Sequence, residues 1–187
     1  MTRVLLMRHA KSDWGNVHQS DKERPLNGRG REAAPAVARA LIERAWKPDL
    51  VLCSAATRTM ETWNLMASEW PDTQIDPAFH DVLYLAPSHV LEQAVGTYAA
   101  KLENSGRDDG TLLVLGHNPG LEDLAADWVK TLNKAAQKEK GADAEKINVG
   151  HFSTASCAVF EGQMEGHYFV PTKFCEFLKA KELLAQA

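Results

Sequence analysis

The stretch LLMRHAKS, residues 5–12, decides the fold that the sequence predicts. The apolar residues 4–7 indicate a buried β-strand, and the ionisable pair Arg8 and His9 follows at its carboxyl end. In open α/β sheets, ligands bind just beyond the carboxyl ends of the strands. Because a charged pair is poorly placed there for a core, we expect it to belong to a functional site.

Two later stretches repeat this arrangement. The apolar run at 50–53 leads into SAATRT, which contains Arg58, and the run at 112–115 leads into GHNPG, which contains His117. The carboxyl ends of parallel strands meet at one edge of a sheet, so we expect the three motifs to converge there. Any one of them alone is typical of an ordinary turn or a surface pair, whereas the three together indicate a site.

Local signals predict how these motifs are held. Ser54 is expected to cap the helix after the second strand, and Asn118 to cap a later helix whose first residue is Pro119. Thr154 and Ser156 precede another apolar run and are expected near the same edge of the sheet. The helix that begins at Ser54 would then offer its N-terminus to an anion.

The alternation of strands and helices predicts a three-layer α/β/α sandwich, with a mostly parallel sheet and an antiparallel hairpin at one edge. The length favours one domain over 1–187, with a polar insert at about 131–150 that we interpret as a helix extension and a solvated segment. The other predicted elements are a helix after Gly30, a short edge strand at 73–76, a helix from Pro87 to about Leu102, strands at 156–161 and 167–170, and an amphipathic C-terminal helix after Pro171 that includes Phe174 and Phe177.

Composition narrows the classes of function. A formal net charge of -4 argues against nucleic acid as the main partner, although a local basic pocket stays compatible with a phosphorylated substrate. We find no apolar run long enough to span a membrane and no signal peptide, which predicts a cytoplasmic protein without a membrane partner. The 3 cysteines lack metal-like spacing and are predicted to be reduced.

The converging residues favour phosphate chemistry. Two guanidinium groups that face one pocket repel each other unless an anion lies between them, and the planar fork of arginine matches phosphate oxygens. A neutral histidine beside such an anion can attack phosphorus. A metal site at His9 and His117 is not predicted, because no carboxylate stands at a ligand-like spacing beside either one and the arginines would oppose a cation.

Five motifs in order resemble the histidine phosphatase superfamily, also called the phosphoglycerate mutase-like fold, and more narrowly its SixA-type phosphohistidine phosphatase branch. Ala10 stands where the family's Arg-His-Gly signature has glycine. The resemblance runs from Met1 to about Phe160 and leaves out the insert. The motifs are Arg8-His9-Ala10-Lys11-Ser12, Arg24-Pro25-Leu26-Asn27 with Gly30, Ser54 with Arg58-Thr59, Leu83-Tyr84-Leu85-Ala86, and Gly116-His117-Asn118-Pro119-Gly120.

The resemblance implies a role for each principal residue. His9 would be the nucleophile that becomes phosphorylated. Arg8, Arg58 and His117 would form the phosphate pocket, and His117 would also stabilise the transition state. No cofactor is implied.

Weaker candidates surround these four residues. Arg24 matches a loop arginine near the pocket mouth, and Ser12 and Asn16 are weaker matches. For a general acid the sequence offers Asp81 and Glu122, with solvated surface carboxylates as the alternative interpretation. The SixA-type branch resembles the superfamily without a clear acid, which suits a P–N substrate because imidazole leaves more easily than an alkoxide.

The predicted function is therefore hydrolysis of phosphohistidine on a protein substrate, through a covalent phosphohistidine intermediate on His9. One alternative is hydrolysis of a small phosphate ester or phosphoanhydride by the same residues. An alternative of another class is a non-catalytic module that binds phosphate or a phosphoprotein. The presence of His9 argues against that module, because binding needs only the arginines.

Overall fold

The structure is a computed structural model that describes residues 1–71, 75–106, 109–141 and 144–186. Two short 3-10 turns, Asp21–Glu23 and Asp81–Leu83, accompany the regular elements. In chain order these elements are β1 (Thr2–Arg8), α1 (Gly28–Glu43), β2 (Leu50–Ser54), α2 (Thr57–Ala67), β3 (Ala78–His80), α3 (Ser88–Asn104), β4 (Thr111–Gly116), α4 (Gly120–Lys140), β5 (Ser156–Glu165), β6 (Tyr168–Lys179) and α5 (Ala180–Leu184).

The strands form one sheet in the order β3-β2-β4-β1-β5-β6. β1, β2, β3 and β4 run parallel to one another, while β5 is antiparallel to β1 and β6 is antiparallel to β5. The parallel strands β1, β2 and β4 therefore end at the same edge of the sheet. The predicted fold class, a mostly parallel sheet with an antiparallel hairpin at one edge, is confirmed.

Helices cover both faces of the sheet because β1 is apolar on both sides. Leu5 and Met7 belong to a core with α1, α2 and α5, whereas Val4 and Leu6 belong to a second core with α3 and α4. Side chains alternate between the faces of a strand, so one short apolar run supplies both cores. Each fully buried side chain of this kind stabilises the fold by about 1.5–3 kcal/mol, which fixes the position of the residues that follow β1.

The predicted C-terminal helix is wrong for most of its length. Residues 168–179 form β6, and only Ala180–Leu184 is helical. β6 carries an extra residue, Cys175, opposite the step from Val159 to Phe160, and this bulge places Phe174 and Phe177 on one face although they are three residues apart. The ring centroid of Phe174 lies 5.3 Å from that of Phe160, and the ring centroid of Phe177 lies 4.9 Å from that of Phe152. A bulged strand thus imitates helical spacing.

Two predicted helix caps are also wrong. Ser54 is the last residue of β2, and the N-cap of α2 is Ala56. α4 begins at Gly120 with Pro119 as its N-cap, and the amide of Asn118 donates instead to Glu122 and to the Phe152 carbonyl. The Ser54 hydroxyl accepts from His117 at the site, whereas Asn118 pairs with Glu122 in the first turn of α4 without being its N-cap.

The structure differs in part from the predictions for the edge strand and the insert. The edge strand is β3, Ala78–His80; residues 73 and 74 of the predicted span lie outside the described residues, and 75–76 are not strand. In the insert, the predicted helix extension is confirmed, since α4 continues to Lys140. The side-chain amide of Asn133 exchanges two hydrogen bonds with the backbone of Ile147, so the later part folds back onto α4.

Among the residues that the structure describes, no helix is long and apolar enough to cross a membrane. The cytoplasmic location stays a prediction.

Candidate active site

A cavity of about 310 Å³ opens at the edge of the sheet where β1, β2 and β4 end. The four residues that the sequence placed together all line it. We define its inner wall as Arg8, His9, Arg58 and His117, which come from the end of β1, the first turn of α2 and the residue after β4. We define its outer wall as Ser12, Trp14, Asp21 and Arg24, which come from the loop between β1 and α1.

His9 is buried and held as one tautomer. Its Nδ1 donates to the carbonyl of Ala10 at 2.7 Å, while its Nε2 accepts from Nε of Arg58 at 3.2 Å. This tautomer follows from the neighbouring groups: a carbonyl accepts and a guanidinium donates. The pKa of His9 is lowered to about 3, chiefly by burial, with a smaller contribution from the nearby guanidiniums and an opposing effect of the Ala10 carbonyl. His9 is therefore neutral at physiological pH, with its Nε2 lone pair directed at Arg58.

His117 lies opposite His9, with their ring centroids 5.1 Å apart. Its Nε2 donates to Oγ of Ser54 at 2.8 Å, and its Nδ1 accepts from Nη2 of Arg58 at 3.2 Å. Burial lowers the pKa of His117 to about 2, with His9 and Arg58 adding to the effect. Ser54, which the sequence assigned to a helix cap, instead orients this histidine.

Arg58 is buried at the start of α2, which is tied to the neighbouring strand ends. The hydroxyl of Thr59 donates to the carbonyls of Ser54 and Ala56, both at 2.7 Å. The hydroxyl of Thr62 donates to the Arg58 carbonyl at 2.6 Å and accepts from the Ala10 amide at 3.0 Å. These contacts fix the backbone of Arg58 against the residues that follow β1.

Arg8 reaches the other side of the inner wall. Its Nη1 donates to the carbonyl of Phe152 at 2.8 Å, whereas its buried Nε has no hydrogen-bond partner in the part of the chain that the structure describes. Burial lowers the pKa of its guanidinium, with a smaller opposing effect from Glu122. A buried donor without a partner is costly, so this end of Arg8 is suited to a ligand oxygen.

The outer wall is organised around Arg24. Its guanidinium lies 3.3 Å from the centroid of the Trp14 ring and donates to the carbonyl of Asp13 at 2.9 Å, to Oγ of Ser12 and to the carboxylate of Asp21 at 2.5 Å. Gly30 allows this loop to pass close to α1, because a Cβ there would collide with the backbone of Lys11. Arg24 and Ser12 thus lie at the cavity as the sequence predicted.

Asp21 is the residue that sequence reasoning missed. Its carboxylate accepts from Arg58 at 3.0 Å and from the hydroxyl of Tyr84 at 2.5 Å, in addition to Arg24. The Tyr84 hydrogen bond is the largest cause that lowers the pKa of Asp21, followed, after an opposing effect of burial, by Arg58. The sequence signal was a Ser20-x-x-Glu23 pair around it, which is typical of a helical turn.

Three of the weaker candidates do not line the cavity. Asp81 is exposed and forms an ion pair with Lys22 at 2.7 Å. Glu122 accepts from Asn118 at 2.6 Å and lies 3.0 Å from Nδ1 of His151. The side chain of Asn16 is exposed and accepts from the amide of His18 at 3.1 Å. Of the two residues expected near the last strands, Thr154 lines the cavity and Ser156 does not.

The charges of the cavity suit an anion. Among the described residues, the cavity is lined by four cationic side chains, those of Arg8, Lys11, Arg24 and Arg58. One carboxylate in the described part of the chain lines it, that of Asp21. This concentration of positive charge stands in a protein with a net charge of -4. Guanidinium groups that converge with two neutral imidazoles favour a tetrahedral oxyanion. Within the described ranges, no group of His, Cys, Asp and Glu residues is arranged to hold a metal ion.

The fold and the cavity together define an α/β protein whose cationic cavity is suited to an oxyanion and has a neutral histidine at its centre. Residues 4–162 match the family model described as histidine phosphatase superfamily, branch 1, and the chain belongs to that family. It is accordingly a phosphatase, a hydrolase, and acts on phosphorylated substrates. The alternative of a non-catalytic binding module is set aside by this membership.

Relatives and solved structures agree with the family. A chloroplastic protein of Arabidopsis thaliana is 35% identical over 130 residues, which are 66% of this chain and 57% of that protein, so the chain spans little more than half of that relative. The candidate phosphohistidine phosphatase SixA from Agrobacterium tumefaciens is 25% identical, with a TM-score of 0.65 over 95% of this chain and 98% of its own. The protein histidine phosphatase SixA complexed with tungstate shares the fold, with a TM-score of 0.71 at 18% identity over 97% and 99% of the two chains. The resemblance to the SixA-type branch is confirmed.

Proposed function

We propose that this phosphatase hydrolyses phosphohistidine on a protein substrate through a covalent intermediate on His9. The observation that carries the proposal is the state of His9: a buried, neutral imidazole whose Nδ1–H is fixed by the Ala10 carbonyl, which leaves the Nε2 lone pair to the cavity. An imidazole held in this way is a competent nucleophile. Arg8 and Arg58 donate to the phosphoryl oxygens and stabilise the charge on them during transfer. His117 lines the pocket beside them and accepts from Arg58 through its Nδ1.

In the first step, Nε2 of His9 attacks phosphorus while the bond from phosphorus to the substrate imidazole breaks. Arg58 transfers its Nε donor from His9 to a phosphoryl oxygen. The electron pair of the broken bond stays on the leaving imidazole nitrogen, which takes a proton from water. His9 keeps its Nδ1–H, and the carbonyl of Ala10 stabilises the positive charge that the ring gains on phosphorylation.

In the second step, water attacks the phosphoryl group on His9. The bond between phosphorus and Nε2 breaks, and its electron pair returns to Nε2. Inorganic phosphate leaves, and a proton of the attacking water passes to phosphate or solvent. His9 returns to the neutral tautomer that the Ala10 carbonyl holds.

The acid–base groups of the cavity support a P–N substrate over an ester. Asp21, the carboxylate at the cavity, has a lowered pKa and is ionised at neutral pH, so it is a poor acid for an alkoxide leaving group. Asp81 and Glu122 are engaged with other partners away from the cavity lining. Imidazole leaves without a strong acid, which favours phosphohistidine.

The residues at the mouth of the cavity support a protein, rather than a small metabolite, as the substrate that carries the phosphohistidine. Trp14 and Leu85 line the cavity with 76% and 49% of their surface exposed, and they flank the phosphate pocket with apolar surface. A small polar metabolite would leave these groups unused, whereas side chains around a phosphorylated residue would contact them.

The test compares turnover of a phosphohistidine peptide with turnover of sugar phosphates and nucleotides, without added metal. We expect the peptide to be the preferred substrate, and a brief exposure to it should leave acid-labile, alkali-stable phosphate on the protein. If the protein prefers an ester or an anhydride and forms the same labelled intermediate, the proposed substrate is wrong and the proposed mechanism stands. Turnover by His9→Ala at the wild-type rate would contradict the mechanism.

A further inference from the structure

Arg58 uses its two edges for different partners. The inner edge, Nε and Nη2, donates to Nε2 of His9 and Nδ1 of His117, both at 3.2 Å. The outer edge, Nη1 and Nη2, donates to the backbone carbonyl of Asp21 at 2.5 Å and to its carboxylate at 3.0 Å. A phosphoryl group can exchange with the histidines on the inner edge while Asp21 keeps the outer edge.

Asp21 is itself held from several sides. The hydroxyl of Tyr84 and the guanidinium of Arg24 donate to its carboxylate, both at 2.5 Å. The turn that contains it is closed by Ser20 and Glu23: Glu23 N–H donates to the Ser20 carbonyl at 3.1 Å, and the Ser20 hydroxyl donates to the Glu23 carboxylate at 2.7 Å. The carboxylate is thus a fixed point between Arg24 and Arg58.

We propose that Asp21 is a positioning residue that sets the guanidinium of Arg58, and secondarily that of Arg24, for the phosphoryl group. It separates two cations that would otherwise repel each other, and it fixes the plane of Arg58 through two acceptors of one residue. The inference rests on the proposed function, because it gives Asp21 its effect through Arg58. It assigns Asp21 no contact with the reacting atoms.

If Asp21 instead competed with the substrate, its removal would have the opposite effect on kcat/KM. A carboxylate that merely occupied the anion site would compete with the substrate, and its removal would tighten oxyanion binding and raise kcat/KM. A positioning residue acts mainly on the transition state, where an oriented donor stabilises developing charge more than in the ground state. Its removal should therefore lower kcat.

The experiment uses Asp21→Asn and Asp21→Ala, with Asp127→Asn as the matched control. Asp127 is an exposed carboxylate in an ion pair with Lys130 at 2.8 Å, on α4. We expect kcat on a phosphohistidine peptide to fall about 10- to 100-fold in both Asp21 variants, less than the loss of a whole oxyanion donor. The affinity for inorganic tungstate should change less than about 3-fold, because lost positioning and lost repulsion oppose each other. Asp127→Asn should behave as the wild type.

Two further measurements separate positioning from a general loss of structure. Formate should restore part of the kcat of Asp21→Ala, because the carboxylate site is open to the cavity and 44% of the Asp21 side chain is exposed. In an Arg58→Lys background, Asp21→Asn should change kcat less than about 2-fold, since the guanidinium on which it acts is gone. Thermal unfolding midpoints of all variants provide the check on folding.

The inference is overturned by wild-type kcat in the Asp21 variants, by tighter tungstate binding together with a raised kcat/KM, by the absence of formate rescue, or by additive losses in the Arg58→Lys background. Each of these results leaves the proposed function standing if the wild-type protein turns over the peptide. A wild-type protein that turns over no phosphorylated substrate would remove the proposed function, and this inference with it.

Discussion

The inner and outer walls of the cavity are held in different ways. The inner wall is anchored by regular structure: Arg8 ends β1, whose residues 4–7 are buried, and His9 follows it. Arg58 stands in the first turn of a helix that is tied to the residues after that strand. The outer wall is one irregular loop that is held by its own side chains, with Arg24 bonded to three other residues of the loop. We infer from this difference that the residues of the inner wall react with the phosphoryl group, and that the outer wall positions those residues.

The largest effect should come from removal of the nucleophile in the inner wall. His9→Ala should lower turnover of a phosphohistidine peptide by about 10³-fold or more, because the covalent route is lost. Tungstate binding should persist, since the guanidiniums remain. Steady-state rates, a search for acid-labile phosphate on the protein and calorimetric tungstate binding check this together. A variant that keeps labelled phosphate would place the nucleophile elsewhere.

A comparison of arginines from the two walls should give the next largest effect. Arg58→Lys keeps the charge but loses the fork that meets His9, His117 and Asp21, so we expect kcat/KM to fall by about 10²–10³-fold. The matched variant Arg24→Lys, in the outer wall, should lose about 10-fold. The measurement is kcat/KM on one peptide at one ionic strength. Equal losses would mean that the two walls do not differ in function.

The same contrast explains how much of the site could be predicted from the sequence. Apolar runs fix the ends of β1, β2 and β4, so the amino-acid pattern alone was enough to place Arg8, His9, Arg58 and His117 together. Asp21 could not be placed in this way, because its position depends on side-chain contacts inside an irregular loop, which leave no periodic pattern. Ser54 was misplaced for a related reason: a serine before a helix is typical of a cap, and only the spatial neighbour His117 gives it another partner.

The fold itself was predicted wherever periodicity matched local geometry. The strands β1, β2 and β4 and the helices α1, α3 and α4 have this property. β6 does not, because its bulge at Cys175 places aromatic residues at a helix-like spacing. Non-local pairing with β5 decided the structure there, and pairing across the sheet is invisible in a local pattern.

A smaller effect is expected at the contact that orients the inner wall. Ser54→Ala removes the acceptor for Nε2 of His117, which lies 2.8 Å away, and frees that ring to rotate. We expect kcat to fall about 10-fold with KM little changed, since His117 orients the Arg58 guanidinium, which acts chiefly in the transition state. Ser153→Ala is the control, because its hydroxyl pairs with Ser156 outside the cavity lining. Wild-type kcat in Ser54→Ala would show that Arg58 alone orients His117.

The smallest expected effect is the pH dependence of stability that the two buried histidines cause. It tests whether water is excluded from the inner wall. Burial lowers the pKa values of His9 and His117 to about 3 and about 2, whereas an unfolded histidine titrates near 6.5. Between these values the unfolded chain binds more protons, so stability is complete above pH ~6.5 and falls as pH drops toward ~3. From about pH 7 to about pH 5, each histidine should cost about 2 kcal/mol, or roughly 4–8 °C in Tm for a chain of this size. His117→Asn should lower Tm at neutral pH yet show a shallower fall with acid than the wild type. Parallel curves for the two proteins would mean that water reaches His117 and that the inner wall is no drier than the loop opposite it.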